Sequence, residues 1–366
     1  MLLSKIYKRT TTGKIQEWEI EIVDNKYRTI VGQQDGKKVT SSWTTCGGKN
    51  LGRANETTPE EQALSEARAK KKKKLEKEYK EDIDEVDNII FKSPMLAFPY
   101  EEGLITLPAF AQPKLDGIRC VATKDGLFSR NGKQILVCPH ITDELASLFE
   151  EDDSIEFDGE LYSHELKDDF DEFVSIVRKG KVTPANLAKS KKHIKYHLYD
   201  IRDETKNFSD RNETLKALVP KEAEYLVFVE TYVVTEDNLE ELYTKFLEAG
   251  YEGMMLRADA PYEFQRTLSL LKKKDTITKE FLVVDVLEGK GNRAGMAGKV
   301  VIRLEEPTTD GKTTCEANPK GKFAFYKRLL ADRKNVIGKY ATIEFQNYTP
   351  KKSLRFPKML TIRDYE

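Results

Sequence analysis

The stretch Ala111–Val121, AQPKLDGIRCV, sets Lys114 beside Asp116, Gly117 and Arg119, immediately ahead of an apolar alternating run. A lysine in a turn is usually a solvated charge. The pattern K-x-D-G-x-R arises by chance on the order of one time in a hundred in a chain of this kind. Taken alone it reads as a charged hairpin turn. Whether Lys114 is a nucleophile depends on what else the chain supplies.

Downstream, IRCVAT leads to the turn KDG, then LFSR, then NGKQILV. Asp-Gly and Asn-Gly are strong hairpin signals, so at least three short antiparallel strands are expected here. Further strands are expected at SIEFDGELY, IKYHLYDIR, EYLVFVETYVV and GMMLRA, with helices between them, notably EDNLEELYTKFLEAG. This predicts an α+β domain on antiparallel sheet. After Lys274 the short strands EFLVVDVLEGKG, GKVVIRLEE, KYATIEFQNYT and KMLTIRD, separated by glycine-rich or charged turns, predict a small β-barrel.

Upstream, EWEIEIV alternates apolar and charged positions, and residues 1–45 read as strand-rich. From Thr58 the chemistry is helical: Thr58 as N-cap, Pro59 in the first position, acids early and lysines late. Asp82–Asn88 reads as a linker. The expected domains are therefore 1–88, 89–275 and 276–366.

Composition narrows the classes. The chain is 39% hydrophobic and 34% charged, and no apolar run approaches the roughly 18 residues that span a bilayer. The start, MLLSKIYKRTTTGK, turns charged early and shows no cleavage pattern, so a cytoplasmic protein without a membrane partner is expected. The cysteines, Cys46, Cys120, Cys138 and Cys315, have no paired spacing, and the four histidines do not cluster with them. A zinc site or disulfide framework is not expected; a metal here would be a hard cation on carboxylates and phosphates. Net charge is −1, yet residues 1–80 hold 18 Lys/Arg against 11 Asp/Glu before EDIDEVD reverses the sign. A basic lobe within a neutral whole points to a polyanionic partner.

The opening stretch is followed in order by FSRNG (Phe128–Gly132), EFDGELY (Glu156–Tyr162), HLYDI (His197–Ile201), EGMMLR (Glu252–Arg257), LLKKKD (Leu270–Asp275) and LRFPKMLTIRD (Leu354–Asp364). With KLDGIR this series resembles the ordered motifs of the covalent nucleotidyltransferases, which comprise ATP-dependent DNA ligases, RNA ligases and mRNA capping enzymes. The resemblance covers the chain from about Pro94 to its end.

The resemblance implies that Lys114 attacks the α-phosphorus of ATP and expels pyrophosphate. That requires an unprotonated amine, although a free lysine has a pKa of about 10.4. Nearby Mg²⁺ and arginine disfavour the ammonium form, and an arginine in its place would stay protonated. The rest of the chemistry is positioning and charge neutralisation. Strand alternation places Glu156, Asp158 and Glu160 on one face, opposite Ile155, Phe157 and Leu161; a solvated strand face is the plain alternative.

By resemblance, Glu160 contacts ribose or supports metal and Glu252 is the second metal-supporting acid. Tyr199 matches the aromatic that stacks on the purine, with a packed strand tyrosine as its alternative. Lys272 and Lys274 match a pair on the α-phosphate, against which Lys273 argues for a basic surface run. Asn131 and Gly132 are explained by a type I′ turn, whereas Arg130 matches a residue holding nucleotide or nicked-strand phosphate. Asp116 and Arg119 would assist Lys114 at ribose, phosphate or the terminal hydroxyl. Arg355 and Arg363 match basic positions that orient pyrophosphate from an OB-fold barrel. Relatives follow the final arginine and aspartate with a lysine, whereas here the residues are DYE.

EGMMLR resembles the ligase motif, since capping enzymes usually carry aspartate where Glu252 stands. PMLA (Pro94–Ala97) and EGKGNRAGMAGKV (Glu288–Val300) also resemble DNA ligases, and compact size without zinc, BRCT-like or long helical DNA-binding additions resembles a phage or bacterial enzyme. The expected function is an ATP-dependent DNA ligase with ATP and Mg²⁺ as cofactors, acting as a monomer on nicked duplex DNA through a lysyl-AMP. A capping guanylyltransferase or RNA ligase, and a catalytically lapsed nucleic-acid scaffold, remain as alternatives. The N-terminal strands and lysine-rich helix resemble the WGR module of nucleic-acid-binding proteins, although the W-G-R triplet is missing. Trp18, Trp43 and the run Lys70, Lys71, Lys72, Lys73 and Lys74 would suit duplex backbone; a small β-domain with core tryptophans and a solvated helix is the alternative.

Overall fold

The computed structural model describes every residue except 11, 77–78, 88–90, 181 and 364–366. The expected domain boundary at 88/89 and the last residues of the final motif, from Asp364, lie outside the described residues. The chain divides into two compact units, Phe91–Asp275 and Met1–Ile90 together with Thr276–Glu366.

The N-terminal strands are β1 (Leu2–Arg9), β2 (Ile15–Val23) and β3 (Lys26–Gln33), an antiparallel meander, with β4 (Val39–Thr40) and β5 (Thr44–Thr45) both paired to β3. Alternation along β2 buries Trp18, Ile20 and Ile22. Ala63 and Ala67 of helix α1 (Pro59–Leu75) share their core. The helix begins where its chemistry predicts: Thr58 Oγ accepts from Glu61 N–H, and Thr58 N–H donates to the Glu61 carboxylate at 2.9 Å. Trp18, only 4% exposed, is a core residue and is corrected from the expected nucleic-acid contacts.

The 91–275 unit carries β6 (Leu96–Pro99), β7 (Ala109–Lys114), β8 (Ile118–Thr123), β9 (Gly126–Ser129), α2 (Pro139–Glu151), β10 (Phe157–Tyr162), α3 (Phe170–Val177), α4 (Pro184–His193), β11 (Lys195–Ile201), α5 (Phe208–Leu218), β12 (Leu226–Phe228), β13 (Tyr232–Val234), α6 (Leu239–Glu248), β14 (Gly253–Arg257) and β15 (Arg266–Lys273). They form two five-stranded sheets, β12-β11-β10-β8-β9 and β13-β7-β14-β15-β6. Leu145 and Leu148 of α2, Phe173 and Ile176 of α3 and Leu215 of α5 share the first sheet's core. Leu242 and Phe246 of α6 share that of the second.

The opening stretch is the crossing between the sheets: β7 ends at Lys114 in one, and β8 begins at Ile118 in the other. Gly117 permits the crossing, since a Cβ there would lie 2.2 Å from Leu161 O. EYLVFVETYVV crosses back, its halves β12 and β13 belonging to different sheets.

One expected strand is absent among the described residues. NGKQILV makes a single bridge, Phe128 with Gln134, and then runs into α2 at Pro139. Val137 and Cys138 turn inward to the core beneath α2 instead of extending a ladder. The turn differs as well: Gly132 N–H donates to Ser129 O at 2.8 Å and Gly132 alone has positive φ, +77°. This is a three-residue loop with glycine in the left-handed position rather than a type I′ turn.

The C-terminal strands are β16 (Ile277–Glu288), β17 (Ala297–Arg303), β18 (Thr314–Pro319), β19 (Tyr340–Phe345) and β20 (Lys358–Ile362), with helices α7 (Phe323–Ala331) and α8 (Arg333–Val336) before β19. They close a barrel in the order β16-β17-β18-β20-β19. Long β16 pairs with both β17 and β19, and β18 with β20 is the parallel pair. Val283, Val300, Ile302, Ala317, Ile343 and Met359 fill it, together with Leu329 of α7.

Candidate active site

Strand pairing assembles the site around Lys114. β14 runs antiparallel to β7 with Gly253 opposite Lys114, and Glu252 N–H donates to Lys114 O at 3.0 Å. Lys114 Nζ donates to Glu252 Oε2, and Lys274 Nζ donates to the other oxygen at 2.6 Å. Burial acts to raise the Glu252 carboxyl, but Lys114 and Lys274 outweigh it and hold the group below its ordinary value. Burial, followed by the Lys274 and Lys114 charges, pushes the Lys272 amine down. Lys273 points the other way, to Glu240 at 3.0 Å and the rings of Tyr100 and Tyr243. The lysine run is thus sorted by strand parity, two members inward and one outward.

The other sheet contributes the second acid. On β10, Glu160 lies opposite Arg119 of β8. Burial pushes the Glu160 carboxyl up to about 8 against the opposing charges of Lys114 and Arg119, with Asp158 and Glu252 adding to the rise. The expected row of three acids has three separate fates. Asp158 is fully buried, bound by Arg119 (Nε to Oδ1 2.8 Å, and Nη2 to Oδ2) and by the Tyr262 hydroxyl at 2.6 Å. Glu156 pairs with Arg202 at 2.7 Å. Glu160 is the member of the row set among the charges around Lys114, so the row is not a uniform solvated face.

Arg119 is therefore anchored, and it also donates to Met95 O at 2.5 Å, which ties in the PMLA stretch. Tyr199, half-buried, has the Arg119 and Arg257 guanidinium carbons 5.7 Å and 5.4 Å from its ring centre. Asp116 is half-buried near Tyr162, whose phenol is raised by burial, then by Tyr251 and Asp116.

Sequence reasoning missed the support beneath these groups. Asp200, fully buried, accepts from Arg211 Nε at 2.7 Å and Arg257 Nη1 at 2.7 Å. Arg257 donates in turn to Gln112 Oε1 at 2.8 Å, and Gln112 Nε2 donates to Tyr199 O at 3.1 Å. Gln112 stands two residues before Lys114 on β7, so the position was readable but its partners were not.

Other expected residues belong to other elements. Arg130 is exposed at the Ser129–Gly132 turn and has no ion-pair partner among the described residues. Arg355 and Arg363 belong to the barrel: Arg355 is buried against the Phe356 ring at 5.2 Å, and Arg363 pairs with Glu280. The run Lys70–Lys74 is corrected in part. Lys70 lies 5.4 Å from the Tyr27 ring centre, Lys71 binds Glu81 at 2.7 Å, and Lys74 sits over Trp18 and Tyr79. Lys70, Lys72 and Lys73 are exposed, Lys72 and Lys73 on the outward side. Helical periodicity turns 70, 71 and 74 onto the same side as Ala63 and Ala67.

The donor set suits a hard divalent cation with phosphates. Among the described residues no three His, Cys, Asp or Glu gather as a complete metal cage, but Glu160 and Glu252 flank a lysine cluster, and Glu160 has no hydrogen-bond partner among them. Mg²⁺ is typically held by one or two carboxylates, with phosphate oxygens and water completing its shell. The raised Glu160 carboxyl gives a test. Its folded pKa lies above its unfolded value, so stability is fully present below about 4.5 and is lost as pH rises through about 8. Thermal melting of the nucleotide-free, metal-free protein should fall across that window, and Glu160→Gln should flatten the fall. Parallel profiles for the two proteins would contradict the assignment.

A lysine wedged between two sheets, its amine on one acid, a second acid nearby and further lysines around it, is the arrangement of a covalent nucleotidyltransferase. Residues 94–274 match the family described as "ATP dependent DNA ligase domain". A DNA ligase of African swine fever virus (isolate Pig/Kenya/KEN-50/1950) is 26% identical over 345 residues, covering 87% of this chain and 78% of the viral protein. A DNA ligase of Haemophilus influenzae is 25% identical over 249 residues, covering 66% of this chain and 82% of the bacterial one. Among solved structures, "Pmar-Lig_PreS3" superposes with a TM-score of 0.63 at 25% identity, covering 75% of this chain and 68% of that one. Residues 94–274 belong to the ATP-dependent DNA ligase domain family. No helix among the described residues is long and apolar enough to cross a membrane.

Proposed function

We propose that this chain seals nicks in duplex DNA with ATP and Mg²⁺, using Lys114 as its nucleophile. The observation that carries the reading is the contact of Lys114 Nζ with Glu252, with Lys272, Lys274 and Glu160 grouped around it. Lys114 Nζ attacks the α-phosphorus of ATP; the bond to the bridging oxygen breaks and pyrophosphate leaves. AMP passes from Lys114 to the 5′-phosphate of the nick, and the 3′-hydroxyl then displaces AMP to close the strand. Lys272 and Lys274 steady the α-phosphate through these transfers, and Tyr199 supports the purine. Glu160 and Glu252 would hold Mg²⁺, which neutralises developing phosphate charge. Arg119, bound to Asp158, acts chiefly by fixing the sheet beneath Glu160, and Asp116 works at the rim beside Tyr162.

The barrel of residues 276–366 is read as an OB-fold, whose Arg355 and Arg363 would serve pyrophosphate. Residues 1–88 are read as an accessory DNA-binding domain, with Arg130 of the catalytic domain as a further DNA contact. A cytoplasmic monomer accords with this reading. Nick sealing on a labelled duplex with ATP and Mg²⁺ tests it: full-length product supports a DNA ligase, whereas protein labelling from GTP alone would mean a capping enzyme.

In the accessory domain, Lys72 and Lys73 are exposed cations on the outward side of α1. Lys72→Glu with Lys73→Glu should raise the apparent KM for nicked DNA by roughly 3- to 10-fold at low salt and leave adenylation of Lys114 intact. An unchanged KM would remove the helix from the DNA path.

A further inference from the structure

Residues 178–195, RKGKVTPANLAKSKKHIK, hold seven Lys/Arg and no Asp or Glu. Resting on the DNA ligase reading above, we propose that the described cations of this segment form a second surface for the duplex, binding its phosphate backbone beside the catalytic cleft.

The segment begins just past α3 and takes in all of α4 and the first residue of β11. Arg178, Lys179, Lys189, Lys191, Lys192 and Lys195 are all exposed. Some of this charge has a local explanation. Lys189 pairs with Glu172, His193 lies 3.4 Å from Glu165, and Lys191 sits 5.8 Å from the Tyr225 ring centre. Cations in the last turn of α4 also suit its carbonyl end. Arg178 and Lys179 likewise follow the carbonyl end of α3, and the Lys179 charge acts on Glu172; none of this accounts for Lys195 on β11. Among the described residues, Arg178, Lys179, Lys192 and Lys195 have no ion-pair partner. A patch of unmatched like charges repels itself and attracts a polyanion.

Position links the patch to the chemistry. Along β11, Tyr196 and Leu198 enter the core under the helices, so Lys195, His197 and Tyr199 share the opposite face of the sheet. The register sets His197 opposite Glu160 and Lys195 opposite Tyr162, and the Tyr162 and His197 rings are 5.2 Å apart. Lys195 therefore stands roughly 7 Å beyond the Glu160 row on the same sheet face. From there the cations continue to Lys192 in the last turn of α4, while Arg178 and Lys179 follow α3 ahead of the first turn of α4. A backbone held along this line leads phosphates toward the sheet face that carries Glu160 and Tyr199.

The test uses the full chain with Arg178, Lys179, Lys192 and Lys195 replaced by glutamine. Each lost phosphate contact should lower the slope of log affinity against log salt by about 0.9, so up to roughly 3.6 for four. At 0.1 M salt, binding of nicked duplex should weaken by roughly 10- to 100-fold. Adenylation of Lys114 from ATP, which needs no DNA, should proceed as in the wild type and shows that the variant is folded. An unchanged affinity and salt slope in a variant that adenylates normally would overturn the surface. Failure of the wild type itself to adenylate would instead sink the ligase reading on which it rests.

Discussion

Lys114→Ala should leave no measurable nick sealing from ATP, a loss on the order of 10⁴- to 10⁶-fold, as when a covalent nucleophile is removed elsewhere. The amine is the only proposed atom that bonds phosphorus before DNA does, and no neighbour replaces it. Lys272 and Lys274 stand close by, yet Lys274 is held by Glu252 and both are proposed to grip phosphate. Lys114→Arg should be equally inactive, because a guanidinium stays protonated at any working pH. The substitution should spare the fold, since Glu252 keeps Lys274 as its partner. A nick already carrying AMP on its 5′-phosphate separates the possibilities. The variant should seal that substrate, because the last step bypasses the lysine. Sealing from ATP at wild-type rate would remove Lys114 from the mechanism.

Asp200→Ala should cost about 3–5 kcal/mol in the stability of the 91–275 unit, the usual penalty for stranding a buried charge. Here two charges are stranded. The Arg211 side chain is 1% exposed and that of Arg257 is 4% exposed, and both bind the Asp200 carboxylate. The damage should spread to the site, because Arg257 orients Gln112 and lies beneath Tyr199. Asp200→Asn should cost less, as an amide oxygen can still accept one guanidinium bond. The measurement is the denaturant midpoint of the nucleotide-free protein. A loss under about 1 kcal/mol for the alanine variant would show that the arginines find other partners.

These two residues mark what a linear reading can reach. Lys114, Glu252, Lys272 and Lys274 were legible because their chemistry is carried by residue type, spacing and order, and strand parity then explains why Lys273 turns away. Asp200 stood inside the quoted HLYDI and Arg257 inside EGMMLR, but the two are 57 residues apart. Nothing in either segment announces the ion pair; only the packing of two sheets makes it. The same limit explains NGKQILV, where an apolar triplet suits a strand or the approach to a helix, and Pro139 decides for the helix. Trp18 and the lysine run fall in a different class. The alternation of EWEIEIV already points Trp18 to the face of Ile20 and Ile22, and helical period already separates Lys72 and Lys73 from their neighbours. Both corrections could have been drawn from the residues by following periodicity to its end.

The most direct test of the central claim is to incubate the protein with ATP and Mg²⁺, digest it, and map the modified peptide by mass spectrometry. A single AMP on Lys114, removed when nicked DNA is added, is the predicted result. AMP on another lysine such as Lys272, or a protein that takes no AMP while still sealing nicks, would contradict it.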